Sequence, residues 1–171
     1  MLSEPLLHRM KILIIDDERV SVMMLEELLH RNGYTRVVGV TDSNKAIETC
    51  NDFDPDLILL DLIMPGTDGF AVLEAIRLSD APESFLPIVV LTADVSEESK
   101  ERALAAGATD FLVKPVSPME ALLRIRNLLE TRRLHVILEN QRCALEDAVR
   151  RARTLRREAV SSAPAESAAG A

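Results

Sequence analysis

Five short apolar runs constrain this chain more than any other feature: KILIID (11–16), RVVGV (36–40), LILLD (57–61), PIVVLTA (87–93) and DFLVK (110–114). A strand with one wet face alternates apolar and polar residues, whereas a nearly continuous apolar strand must be covered on both faces. The segments between the runs have helical spacing and helix punctuation. VSVMMLEELLHRNG (20–33) stops at Asn32-Gly33. SNKAIETCND (43–52) starts on a capping serine, Ser43. GFAVLEAIRLS (69–79) follows Asp68, which reads as its cap. SEESKERALAAGA (96–108) has a capping-box start and stops at Gly107, and Pro118 opens a further helix. Strand and helix alternate five times. The expected fold is α/β: a doubly wound, five-stranded parallel sheet with helices on both faces, followed by a long C-terminal helix.

In such sheets the functional crevice lies outside the carboxyl ends of the strands. The first run ends at Asp16-Asp17, the third at Asp61, the fourth at Thr92 and the fifth at Lys114. Each has an ordinary reading alone: acids beside a helix start, a β-branched strand residue, a solvated lysine. Together they form a reactive set. A lone buried carboxylate such as Asp61 is costly unless something pairs with it. Converging acids also repel one another until a cation intervenes, and hard oxygen ligands suit Mg²⁺. Lys114 and the Thr92 hydroxyl could receive the oxygens of a phosphoryl group, with Asp61 as the nucleophile on phosphorus. Phosphoryl transfer needs mainly positioning and charge stabilisation, which these groups supply.

Composition narrows the classes. Hydrophobic residues make up 47% of the 171, enough for a core. No apolar run approaches the roughly 18 residues of a membrane span, and the N-terminus has no signal-peptide pattern. Cys50 and Cys143 have no motif spacing, which is compatible with a reducing cytoplasm. The net charge of −8 divides into −11 over residues 1–118 and +3 over residues 119–171, so the globular part should not favour nucleic acid.

The motifs IIDDE (14–18), LILLDLIMPGTDGF (57–70), VVLTA (89–93) and GATDFLVKP (107–115) carry a resemblance. In order and separation the chain resembles the receiver domain of bacterial two-component response regulators over about residues 10–131. The resemblance implies a flavodoxin-like fold and a phosphoacceptor aspartate at Asp61. It implies Mg²⁺ ligands at Asp17, Asp61 and the main-chain carbonyl of Ile63, with Asp16 acting mostly through water. Lys114, Thr92 and the Ala93 N–H would receive the phosphoryl group, and Thr92 and Phe111 would form the switch. Ile63 and Asp94 would flank the path of hydrolytic water and set the lifetime of the phosphorylated state. The Lys114-Pro115 bond is often cis in the family. The donor would be a sensor histidine kinase or phosphotransfer protein, and the location cytoplasmic. The chain would not be an enzyme beyond phosphorylating and dephosphorylating itself. A scaffold with vestigial phosphorylation is the alternative. A haloacid-dehalogenase-type phosphatase expects D-x-D at the first strand, where this chain has Asp16-Asp17.

Beyond Thr131 the helical pattern continues. Leu134, Leu138, Gln141, Leu145, Ala148, Ala152, Leu155 and Ala159 recur at alternating steps of four and three, a heptad seam. The expectation is a parallel coiled coil over 132–160 that makes a homodimer, between a receiver at 10–131 and a disordered tail at 161–171, with residues 1–9 as an N-terminal extension. ETRRLHVILENQRCALEDAVRRARTLRR (130–157) resembles the connector to HD-GYP-type output domains, and no such domain follows, so a separate output protein is expected. RRARTLRR (150–157) reads as a solvated helix face, with no aromatic interleaving.

Overall fold

The computed structural model describes residues 4–79, 85–94 and 96–161. In chain order the elements are α1 (Glu4–Leu7), β1 (Lys11–Ile15), α2 (Arg19–Arg31), β2 (Arg36–Val40), α3 (Ala46–Phe53) and β3 (Leu57–Asp61). There follow β4 (Ile63–Met64), β5 (Thr67–Asp68), α4 (Gly69–Ser79), β6 (Ile88–Thr92), α5 (Glu97–Ala105), β7 (Asp110–Val113) and α6 (Pro118–Ser161). Residues Met1–Arg133 form one compact unit and Leu134–Ala171 a second.

The five expected strands form one parallel sheet in the order β2-β1-β3-β6-β7. The continuous apolar runs have a direct cause in packing. Leu13, Ile15, Ile58, Leu60, Ile88 and Val90 belong to a core shared with α3, α4 and α5. The alternate residues Ile12, Ile14, Leu57, Leu59, Val89 and Leu91 belong to a second core shared with α2 and α6. Every residue of β3 and β6 is buried. The segment expected as an N-terminal extension adds Leu7 to the second core, and its His8 carbonyl accepts from both the N–H and the hydroxyl of Thr35.

Register sets the site. Ile15 lies opposite Leu60, so Asp16 follows level with Asp61. Asp61 lies opposite Leu91 and Thr92 opposite Val113, which carries the row on to Lys114. The Lys114-Pro115 peptide is cis.

Three local details differ from the sequence reading. Asp42, not Ser43, supplies the capping oxygen, accepting from the Asn44 N–H, and Ser43–Lys45 tighten into a 3-10 turn before α3. The carboxylate one residue earlier meets the exposed N–H groups first. An unforeseen hairpin, β4 with β5, turns at Pro65-Gly66, where Gly66 takes a positive φ of 78°. Third, Arg77 of α4 binds the Gly107 and Leu86 carbonyls at 2.8 and 2.7 Å and the Thr109 hydroxyl at 3.3 Å. That guanidinium ties the end of α4 to the starts of β6 and β7.

Asp68 does cap α4, accepting from the Phe70 N–H at 3.0 Å, and Ser96 caps α5. In the second unit the described residues from Asn140 to Arg156 are all exposed. The tail beyond Ser161 lies outside the described residues. Among the described residues no helix is long and apolar enough to cross a membrane.

Gly69 has no room for a side chain. A Cβ there would stand 2.5 Å from the Leu62 Cα and 2.7 Å from the Asp61 carbonyl oxygen. Gly69→Ala should therefore push α4 off the backbone that carries Asp61 and cost about 1–3 kcal/mol. Urea unfolding measures this, and a variant as stable as the parent would show that the contact relaxes freely.

Candidate functional site

The strand ends converge as the register requires. Asp16 is fully buried, and Asp61 and Thr92 nearly so. Lys114 reaches across the edge of the sheet, its Nζ donating to Asp16 Oδ2 at 2.8 Å and to Asp61 Oδ2 at 2.6 Å. The remaining carboxylate oxygens have backbone partners. Asp16 Oδ1 accepts from the Glu18 N–H at 2.8 Å, and Asp61 Oδ1 from the Ile63 N–H at 2.9 Å. Two buried carboxylates are thus satisfied by one ammonium and two amides, which answers the cost of burying them.

Burial disfavours the charge on Lys114, but the hydrogen bonds and charges of Asp16 and Asp61 outweigh it and raise the Lys114 pKa above its ordinary value. Asp17 is exposed beside this pair. One carboxylate oxygen from each of Asp16, Asp17 and Asp61 lies within 4.8 Å of the others, an acidic pocket with the donor chemistry a hard divalent cation takes.

Thr92 faces the next loop. Its hydroxyl accepts from the Asp94 N–H at 3.0 Å. The Asp94 carboxylate in turn accepts from the Ser96 N–H at 2.8 Å, which with the Ser96 hydroxyl holds its pKa below the usual carboxylate range. Ala93 is exposed between them. Ile63 projects from β4, 61% exposed, beside the same groove. Phe111 stands apart from the carboxylates. It is half-buried against the core of the α3, α4 and α5 side, with the Lys100 ammonium 5.3 Å from its ring centre.

The structure therefore brings Asp16, Asp17, Asp61 and Lys114 into one cluster and pairs Thr92 with Asp94. Two features of the site were not singled out from sequence. Phe70 and Arg102 stack at 3.8 Å and wall the groove that Ile63, Thr92 and Asp94 line. They come from different helices, and no local pattern joins them. Gly69, which lets α4 approach Asp61, follows a cap where most residues would be tolerated.

Comparison with known proteins agrees with this geometry. The response regulator receiver domain family matches residues 12–126. The transcriptional regulatory protein ResD of Bacillus subtilis is 40% identical over 119 residues, covering 70% of this chain and 48% of that protein. The alkaline phosphatase synthesis transcriptional regulatory protein PhoP of the same organism is 37% identical over 119 residues, with coverage of 70% and 48%. The chain spans about half the length of these relatives. Among solved structures, the chemotaxis protein CheY4 of Vibrio cholerae superposes with a TM-score of 0.65 at 32% identity, covering 70% of this chain and 98% of that one. A five-stranded parallel sheet in the order β2-β1-β3-β6-β7, an acidic pocket bridged by a lysine at its carboxyl edge, and a family match across both make this chain a member of the response regulator receiver domain family.

Proposed function

We propose that Asp61 accepts a phosphoryl group from a phosphohistidine on a sensor histidine kinase or phosphotransfer protein. The observation that carries this reading is the level row of Asp16, Asp61 and Lys114 with Asp17 alongside. In the transfer an Asp61 oxygen attacks phosphorus. The new O–P bond forms as the P–N bond to the imidazole breaks, and the departing imidazole takes up a proton. Lys114, now shared by two carboxylates, would move part of its attraction to the incoming oxygens. The Thr92 hydroxyl would exchange its bond with Asp94 for one to the phosphoryl group, joined by the Ala93 N–H. Asp16, Asp17, Asp61 and the Ile63 carbonyl would hold Mg²⁺, which when bound supplies positive charge against the phosphoryl oxygens. Phe111 would turn inward as Thr92 is drawn toward the phosphoryl group, at the expense of its contact with Lys100. The chain acts on itself and otherwise works as a switch, in the cytoplasm where such donors reside.

The transcriptional role in the names of ResD and PhoP is not carried over, because the matched residues cover only about half of each. The family match stops at residue 126, so the likeness of 130–157 to an HD-GYP connector rests on the sequence alone. The exposed leucines of α6 beyond Arg133 support a homodimer through this helix, since an isolated helix gains little stability without packing.

The phosphorylated state is read as long-lived. Ile63 offers bulk and no hydrogen bond to an in-line water. Asp94 is tied to Ser96, so its carboxylate is less free to orient one.

Incubation with acetyl phosphate and Mg²⁺ should add one phosphoryl group by intact mass, and Asp61→Asn should add none. Unchanged incorporation in Asp61→Asn would place the acceptor elsewhere.

Mg²⁺ titration followed by NMR should show Asp17→Ala weakened by about tenfold or more, about 1.4 kcal/mol, and Thr92→Ala changed little. Equal losses would overturn the division between metal ligand and phosphoryl contact.

Ile63→Asn should speed decay of the phosphorylated protein by about tenfold, if about 1.4 kcal/mol of the barrier is at stake. An unchanged decay after donor removal would show that Ile63 does not control water entry.

A further inference from the structure

The second unit has an apolar seam that nothing in its own described residues covers. Leu138, Leu145 and Leu155 are 62%, 66% and 65% exposed, and Gln141, Ala148 and Ala152 complete the same stripe. We infer that the seam pairs with the same seam of a second copy in antiparallel orientation, a deepening that rests on the homodimer reading above and reverses the parallel arrangement expected from heptad spacing alone.

Two independent features decide the orientation. The first is side-chain size. In a parallel pair each seam residue meets itself. Ala148 then faces Ala148 and Ala152 faces Ala152 in successive layers, flanked by layers of paired leucines. The helices would have to be close at the alanines and apart at the leucines, although interaxial distance is set at about 8–10 Å by the side chains in contact. In an antiparallel pair the same steps of four and three come into register differently. Leu138 faces Leu155, Gln141 faces Ala152 and Leu145 faces Ala148, and each pairing recurs by symmetry. Large residues then oppose small ones through the middle of the pair, which packs at a more even spacing.

The second feature is charge. The positions that flank a parallel seam pair Arg151 of one copy with Arg156 of the other, twice per dimer, with no acidic partner among the flanking pairs between Ile137 and Arg156. Both arginines are exposed. Antiparallel pairing separates them. Arg151 flanks Ala144, Arg142 flanks Val149, and Arg156 flanks His135. The arginine-rich stretch 150–156 then lies along 137–143, which carries Glu139 and Arg142 and is net neutral, instead of along itself. Like charges in direct opposition are the usual device by which a coiled coil rejects an arrangement.

With Leu138 beside the partner's Leu155, the two seam helices run in opposite directions.

Disulfide trapping in the full chain tests the orientation. Cys143 is exposed and is replaced by serine, while buried Cys50 is kept. Gln141→Cys and Ala152→Cys proteins are prepared separately, then mixed and mildly oxidised, with sedimentation run in parallel. The expected result is a dimer by sedimentation and a crosslink in the mixture that neither protein forms alone. A dimer in which Ala152→Cys crosslinks to itself would overturn the antiparallel orientation and leave the homodimer standing. A monomer at tens of micromolar, roughly the range of a weak dimer, would overturn both. As a check free of cysteine, Arg151→Glu should leave dimer affinity within about twofold, because its antiparallel neighbour is uncharged Ala144. Several-fold tightening, from new attraction to Arg156, would point to the parallel pair.

Discussion

One ammonium group meets two buried carboxylates at the edge of this sheet, and the rest of the site is arranged around that meeting. Asp16 and Asp61 are removed from water by the same packing that builds the core, and without Lys114 their charges would oppose each other. The lysine is drawn from a third strand, and its pKa lies above the ordinary lysine value despite the opposing effect of burial. Its stabilising charge is therefore present at all pH values below that of an unfolded lysine and is lost only as strongly alkaline pH passes its raised folded value. Throughout the neutral range the cluster is held by attraction between fixed charges, which any entering anion or cation must redistribute.

That redistribution is where architecture and function join. Asp61 ends β3, and Asp16 and Lys114 directly follow β1 and β7; because the order places β3 between β1 and β6, Asp61 is flanked by strands on both sides and cannot move far without disturbing the ladder. The loops that follow the strands are less constrained. Thr92, the last residue of β6, bonds to Asp94 in the loop that follows, and Ile63 stands on a two-stranded hairpin outside the sheet. Strand-held groups carry the charge balance, and groups on the loop and hairpin border the opening.

Much of this was legible in the sequence because burial on both faces leaves a plain mark. A strand such as LILLD has no polar positions to spare, so its terminal acid is conspicuous, and five such runs point to a parallel sheet covered on both faces and to the edge where chemistry gathers, though not to the order of the strands. The cluster of Asp16, Asp61 and Lys114 followed from those ends. What escaped was set by contacts between distant residues. Arg77 reaches three partners on separate segments, and Phe70 meets Arg102 from another helix, with no periodicity to announce either. The cap before α3 was misplaced by one residue because Asp42 and Ser43 are both good caps, and only the path of the backbone chooses between them.

The missing side chain at Gly69 has a mechanical meaning. Most helices rest on a sheet through side chains, whose rotamers absorb small displacements as a cushion would. Here the first turn of α4 lies directly on the main chain of Asp61 and Leu62, bone on bone. A joint of that kind has little slack. The backbone at Asp61 and the first turn of α4 leave each other no room, and the Arg77 guanidinium at the far end of α4 is bonded to the segments that open β6 and β7. The helix thus joins the acidic pocket to the opposite rim of the sheet through contacts with little give, the tightest where glycine leaves no side-chain atom to compress.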